Sequence, residues 1–153
     1  MKITAPEEYG LRCMLLFARA KPGTSLTLPE ISDKEGLSLP YAGKLIMILK
    51  KAGLLKAVRG RNGGYILAQL PEKISLDEIF AALGDKLYGP HHCDRYGRTK
   101  GECVHTGDCQ VGSIWRFFDQ YIQTVLSRLT LADVVSGKVE FSGPEFSNIQ
   151  ETN

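Results

Sequence analysis

The sequence lacks any long apolar run, and no stretch approaches the ~20 residues that a membrane-spanning helix requires. It also lacks the apolar segment of a secretory signal, because the acids Glu7 and Glu8 come too early to leave room for one. We therefore expect a cytoplasmic protein with no membrane partner. In that reducing compartment, its 4 cysteines favour metal binding over disulfide bonds.

Catalytic signatures are also missing. No serine or cysteine nucleophile has an evident base, and no phosphate-binding motif opens a helix. The glycines of Gly60-x-x-Gly63-Gly64 lie between two strand-like runs, which is the wrong context for a nucleotide-binding loop. We therefore expect a protein that is not an enzyme.

Acidic residues are absent between Glu35 and Glu72, a window that contains several lysines and arginines. Residues 1–70 carry 11 Lys and Arg against 5 Asp and Glu, a net of +6, whereas residues 71–153 carry 8 against 12, a net of −4. A solvated surface usually mixes both signs of charge. The basic, acid-free stretch therefore predicts a phosphate-facing surface, and the acidic half a separate sensing or assembly region.

Three helix starts are predicted in the basic half. Thr4-Ala5-Pro6-Glu7 and Thr27-Leu28-Pro29-Glu30 are typical capping boxes, each with a proline near the helix start. Ser38-Leu39-Pro40 predicts the cap of a third helix, and Gly36 separates it from the second. Two short helices joined in this way indicate a helix-turn-helix.

Two strand-like runs follow, Leu54–Arg59 and Tyr65–Ala68, around an Asn62-Gly63 turn. They predict a β-hairpin, and a hairpin directly after a helix-turn-helix is a winged helix. A further capping box at Ser75–Glu78 predicts a helix to about Leu83.

The candidate DNA contacts lie on the third helix and the hairpin. The first turns of a recognition helix meet base edges, and here they hold Ser38, Pro40, Tyr41 and Lys44. Tyr41 has an alternative role, because an aromatic residue there can brace the helix. Gly43 costs about 1 kcal/mol relative to alanine, which suggests a close backbone approach, although drift explains it equally well. Arg59 and Arg61 are candidates for minor-groove insertion or for plain phosphate contacts.

Residues 84–112 show neither a helical nor a strand period, yet they hold all 3 histidines and three of the 4 cysteines. The spacing Cys93-x9-Cys103-x5-Cys109 is not that of a zinc finger and suits an iron–sulfur cluster better, although zinc bound with His105 stays open. A fourth cluster ligand is needed. Candidates inside the loop are His91, His92 and His105. The remaining cysteine, Cys13, lies in the apolar stripe of the first helix and is interpreted as a buried small hydrophobe.

A long helix is predicted from Ser113, with an apolar stripe of Ile114, Phe118, Tyr121, Ile122, Val125 and Leu129. Trp115, Phe117 and Leu126 make this stripe wider than one small domain needs to cover, so we expect the helix to pair with its copy in a homodimer. A cap at Thr130–Asp133 predicts a last short helix.

The predicted fold is mostly α with a small β-hairpin wing. A winged helix-turn-helix domain occupies residues 1–83, and the cluster-binding loop occupies residues 84–112. The dimerisation helix and the short terminal helix occupy residues 113–137, and a flexible tail occupies residues 138–153.

From Met1 to about Gly137 the sequence resembles the IscR/NsrR/RirA-like iron–sulfur winged-helix transcription regulators. The motifs that carry the resemblance are Glu8-Tyr9-Gly10-Leu11-Arg12, Gly36-Leu37-Ser38 with Tyr41, Lys51-Ala52-Gly53-Leu54-Leu55, Val58-Arg59-Gly60-Arg61-Asn62-Gly63-Gly64-Tyr65, the three loop cysteines and Ile114-Trp115. The resemblance implies a homodimer that binds double-stranded DNA at a palindromic operator and carries one 2Fe–2S or 4Fe–4S cluster per subunit. Members sense iron–sulfur supply, iron, nitric oxide or redox state.

The resemblance also implies the cluster ligands. The family's cysteines match Cys93, Cys103 and Cys109, but Gly112 stands where IscR-like members have a histidine ligand. NsrR-like members use an acid from the first helix of the partner subunit, and the matching position is Glu8. We therefore favour Glu8 as the fourth ligand, ahead of His105 and then His91 or His92. Otherwise Glu8, or equally Glu7, is an acid stabilised by the helix dipole.

The predicted function is that of a dimeric DNA-binding regulator, such as a repressor, that senses its signal through the cluster. A redox or electron-transfer protein is an alternative, although an acid-free basic face argues against it. A cluster-free or zinc-binding family member is a further alternative.

Overall fold

The structure, a computed structural model of the chain, describes residues 3–60, 63–84, 105, 109–137 and 139. These residues form helices and one two-stranded antiparallel hairpin, as predicted. The elements in chain order are α1 (Ala5–Arg19), α2 (Leu28–Glu35), α3 (Leu39–Lys51), β1 (Leu55–Val58), β2 (Gly64–Leu67), α4 (Leu76–Leu83), α5 (Gln110–Arg128) and α6 (Leu131–Ser136). A short 3-10 turn, Pro71–Lys73, links β2 to α4. None of the described helices is long and apolar enough to cross a membrane.

Reciprocal capping boxes open α1, α2, α4 and α6, which confirms four of the five predicted caps. At α1 the backbone N–H of Thr4 donates to the Glu7 carboxylate at 2.7 Å, while the Thr4 hydroxyl accepts from the Glu7 amide. At α2 hydrogen bonds from the Thr27 backbone and hydroxyl hold the pKa of Glu30 below its ordinary value. These local bonds fix where each helix begins.

The cap of α3 differs from the others. Ser38 occupies the N-cap position, but its side chain makes no capping hydrogen bond. The third residue of α3 is Tyr41, which has no carboxylate to return a bond to the Ser38 backbone. The Ser38 hydroxyl therefore lies at an exposed helix start without a capping role.

One apolar core joins every element except most of α5. Cys13, Met14 and Phe17 of α1 face α2, α3 and α4 across this core. Its other buried members are Leu26, Ile31, Ala42, Leu45, Ile46, Leu49, Leu54, Leu55, Ile74, Leu76, Ile79, Leu83 and Leu131. Because residues of α3 are so fully enclosed, its opposite face must point away from the protein.

The hairpin is attached to the segment before α2. In the register of β1 and β2, Leu55 lies opposite Leu67 and Val58 opposite Gly64. Leu26 exchanges two backbone hydrogen bonds with Tyr65, at 2.9 and 2.8 Å. The wing is therefore anchored to the helix-turn-helix by main-chain bonds.

The start of α5 corrects one expectation. The sequence predicted a helix from Ser113, but α5 begins at Gln110. The thiol of Cys109 is the reason, because it accepts the Gly112 amide N–H at 3.2 Å and so caps the first turn. Cysteine is not among the common N-cap residues, so no pattern in the sequence indicated a helix start at Gln110.

Two helix-interior glycines provide a test of the packing. A Cβ at Gly10 would overlap the side chain of Leu83, whereas a Cβ at Gly43 would meet only Leu28 Cδ1 at 3.9 Å. Gly10→Ala should therefore destabilise the protein by about 1–2 kcal/mol through overpacking. Gly43→Ala should stabilise it by up to about 1 kcal/mol through helix propensity. Urea unfolding of the two variants measures both effects, and equal stabilities would contradict close α1–α4 packing.

Candidate nucleic-acid interface and metal centre

The N-cap and outward face of α3 carry three of the six predicted DNA contacts. Ser38, Pro40 and Lys44 are all exposed on its first turns. Lys50 and Lys51 are exposed in its last turn, where cations also offset the helix dipole. The face is thus cationic and free of acids along its whole length.

Tyr41 lies on a different side of α3. It is half-buried, and its ring packs edge-to-face on Tyr9 of α1 with centroids 6.1 Å apart. Its hydroxyl is buried and makes no hydrogen bond to any described residue. This position favours the bracing alternative, in which Tyr41 sets the orientation of α3 against α1.

The same contact extends to α2. The guanidinium of Arg12 lies 5.4 Å from the centroid of the Tyr9 ring, and its Nε donates to Glu35 Oε2 at 3.0 Å. Glu35 ends α2, and Gly36 follows with a left-handed φ of 64° that makes the turn into α3. Side chains of α1 therefore touch both helices of the helix-turn-helix.

The wing places Arg59 at an exposed position directly after β1. Arg61 lies outside the described residues. Val58, at the end of β1, is 37% exposed. An exposed apolar side chain, Val58, and an exposed cation, Arg59, are thus adjacent at the end of β1.

The outward side of α3 also exposes two apolar side chains that the sequence did not predict as DNA contacts. Leu39 and Met47 are each 49% exposed, whereas Leu45 and Ile46 on the inner face are buried. Met47 follows Lys44 by three residues, and that spacing on a helix was a signal that the two share a face.

The described donors of the metal loop are few. Cys109 is half-buried at the N-cap of α5, and His105 is exposed. Cys93 and Cys103 lie outside the described residues, as do His91 and His92. In the part of the chain that the structure describes, no three His, Cys, Asp or Glu residues lie close enough to hold a metal ion.

Cys13 is fully buried, as predicted. Burial raises its pKa to about 11, and the nearby Glu35 carboxylate adds to this effect. A thiol that stays protonated within an apolar core is a poor ligand and a poor nucleophile. It belongs to the core instead.

The two acids at the start of α1 differ in how they are engaged. The Glu7 carboxylate is occupied by the Thr4 cap and packs against Gly84. Glu8 is exposed, and its carboxylate makes no hydrogen bond or ion pair with a described residue. Of the two, only Glu8 presents a carboxylate that is available to an outside partner.

The apolar stripe of α5 divides into two parts. Leu126 and Leu129 near its end pack against the core. Its first half instead exposes large apolar side chains, which are Val111, Ile114, Trp115, Phe117 and Phe118. A contiguous exposed patch of this kind marks an interaction surface.

A basic helix-turn-helix with a hairpin wing defines the class as a winged-helix DNA-binding transcription regulator. Residues 3–137 match the family model of Rrf2, described as an iron-dependent transcriptional regulator. The chain belongs to this family, which is not a family of enzymes.

Known proteins agree with this assignment. The transcriptional regulator IscR of Klebsiella pneumoniae is 28% identical over 155 residues, covering 100% of this chain and 92% of its own. IscR of Vibrio vulnificus is 32% identical over 136 residues, covering 89% and 78%. The solved structure of T. potens IscR has a TM-score of 0.69 and 31% identity, covering 95% and 93%, and that of CymR, the global cysteine regulator of B. subtilis, has 0.67 and 26%, covering 90% and 98%.

Lys44 and Arg59 should contribute directly to DNA affinity. We expect Lys44→Ala and Arg59→Ala each to weaken binding and to lower the slope of log K against log salt by about 1, because each removes a cation from the interface. The matched control is Lys73→Ala in the 3-10 turn beyond the base of the hairpin. Fluorescence anisotropy over a salt series measures the slopes, and a response equal to that of the control would remove either residue from the interface.

Proposed function

We propose that this chain is a homodimeric transcription regulator that senses iron–sulfur supply, iron, nitric oxide or redox state through a cluster. The ligands are Cys93, Cys103 and Cys109, with Glu8 of the partner as the fourth. The observation that carries the proposal is the position of Cys109, whose thiol caps α5 where the cysteine loop joins it. A cytoplasmic location belongs to the same proposal.

The chemistry of the described donors fits such a cluster. Cys109 already accepts a backbone N–H, as ligating sulfurs do in iron–sulfur proteins, where such bonds help to set the reduction potential. Glu8 offers a free carboxylate, and His105 an exposed imidazole as the second choice. When bound, the cluster, as 2Fe–2S or 4Fe–4S, supplies a centre that reacts with oxidants and nitric oxide.

The route from ligand to DNA is short. Glu8 directly precedes Tyr9, whose ring contacts Tyr41 of α3. A change in the position of Glu8 therefore acts on α1 next to the contact that orients the recognition helix. A second ligand, Cys109, caps the first turn of α5. The proposed cluster is therefore bound at the start of α1, which packs on the recognition helix, and at the start of α5, which carries the proposed dimer interface.

On the DNA side, Ser38, Pro40 and Lys44 enter the major groove, and Arg59 and Arg61 contact the DNA beside it. Tyr41 is assigned to bracing rather than to base contact, because its hydroxyl is buried. A twofold dimer presents two such surfaces. The operator is therefore palindromic, with half-sites about one helical turn apart.

The deciding experiment compares holo and apo protein. Protein purified without oxygen should bind its operator with an affinity that differs by about tenfold or more from that of cluster-free protein at one salt concentration. Iron content and absorption spectra establish the two states. Equal affinities would refute sensing while leaving DNA binding in place.

The fourth ligand has its own test. Glu8→Ala should change the absorption spectrum of the cluster and shorten its lifetime in air, because an oxygen ligand has been removed. His105→Ala, the matched control, should leave both unchanged. The reverse pattern would make His105 the ligand.

Dimer formation depends on the exposed patch of α5. Phe118→Glu should weaken self-association by at least about 100-fold, because it leaves an unpaired charge at a buried interface. Gln120→Glu adds the same charge on the opposite, exposed side of α5 and should change nothing. Sedimentation velocity distinguishes the two, and a dimeric Phe118→Glu protein would place the interface elsewhere.

A further inference from the structure

Apart from lysine, the recognition helix lacks the side chains that most often identify bases. Residues 39–51 read Leu-Pro-Tyr-Ala-Gly-Lys-Leu-Ile-Met-Ile-Leu-Lys-Lys and contain no Arg, Asn, Gln, Asp or Glu. Those residues provide the bidentate contacts to guanine and adenine and the acceptors for cytosine N4. Lys44 is the one hydrogen-bonding side chain in the first two turns that points outward. Hydrogen bonds alone would therefore give this helix little ability to discriminate between base pairs.

Apolar side chains occupy the positions that remain. Met47 and Leu39 are each 49% exposed, although every other large aliphatic residue of α3 is buried or packed against the core. Met47 lies three residues after Lys44 and seven after Pro40, so the three share the outward face. An apolar side chain within a DNA-facing surface has one specific partner in the major groove, the C5-methyl group of thymine.

Gly43 lies between these two side chains. It is four residues from both Leu39 and Met47, and a Cβ at this position would meet only Leu28 Cδ1 at 3.9 Å. The protein itself thus does not require a glycine there. Without a side chain at position 43, the backbone of α3 can approach the base edges closely enough for Leu39 and Met47 to reach them.

We propose that α3 reads thymine methyl groups through Met47 and Leu39, beside the polar contacts of Lys44 and of Ser38 at its N-cap. The proposal depends on DNA binding by this chain and is independent of the cluster. It makes Met47 and Leu39 determinants of operator sequence, and Gly43 the position that allows their approach.

The test replaces thymine with uracil, which lacks only the methyl group. Double-stranded fragments enriched from a random library by the full-length protein serve as probes, and each half-site thymine is replaced in turn by deoxyuridine. Anisotropy should show an affinity loss of about fourfold for each contacted methyl group. Met47→Ala should weaken binding to the thymine probe but bind the matching thymine and uracil probes equally.

Leu70→Ala is the matched control, because Leu70 is 64% exposed but lies outside α3. This variant should keep the full sensitivity to uracil. Equal binding of thymine and uracil probes by the unmodified protein would overturn the proposal, as would full uracil sensitivity in both Met47→Ala and Leu39→Ala. Failure to enrich any fragment would overturn DNA binding itself, which is a distinguishable result.

Discussion

Burial of the inner face of α3 is the constraint on which the rest of the structure depends. Leu45, Ile46 and Leu49 are enclosed by the core, and each such side chain contributes about 1.5–3 kcal/mol when fully buried. This burial fixes the rotation of α3 about its own axis. Because the inner face is fixed, the opposite face of α3, which carries Lys44 and Met47, points to solvent or DNA.

Aromatic contacts determine how that helix is held against α1. The Tyr9–Tyr41 pair spans the two helices, and Arg12 joins Tyr9 to the end of α2 through Glu35. The ion pair alone contributes little at a partly exposed site. Its value is geometric, because it ties the helix-turn-helix to the same turn of α1 that carries Glu8. Any ligand held by Glu8 would therefore act on a part of α1 already packed against the recognition helix.

Much of the fold could be predicted because its signals are local. Capping boxes, the Gly36 turn and the two strand-like runs of the hairpin each depend on residues within a few positions of one another, and the structure has them where the sequence indicated. The predicted start of α5 was wrong by three residues, because the capping group is the thiol of Cys109. Among the site residues, Lys44 and Arg59 could be found from charge. The spacing of Met47 from Lys44 placed the two on one face of the helix, but whether Met47 and Leu39 are exposed depends on what packs around them.

The sequence by itself determined the family, the starts of the helices that a capping box opens and the division into a basic half and a cysteine-bearing half, because composition, caps and motif spacing are properties of the chain. Only the tertiary structure decided whether a residue with two possible roles packs within the protein or lies at its surface. It turned Tyr41 inward against Tyr9, packed the Glu7 carboxylate against Gly84 at the end of α4, and divided the α5 stripe between the core and solvent. The physical reason is that burial is a relation between distant segments, which no local pattern contains.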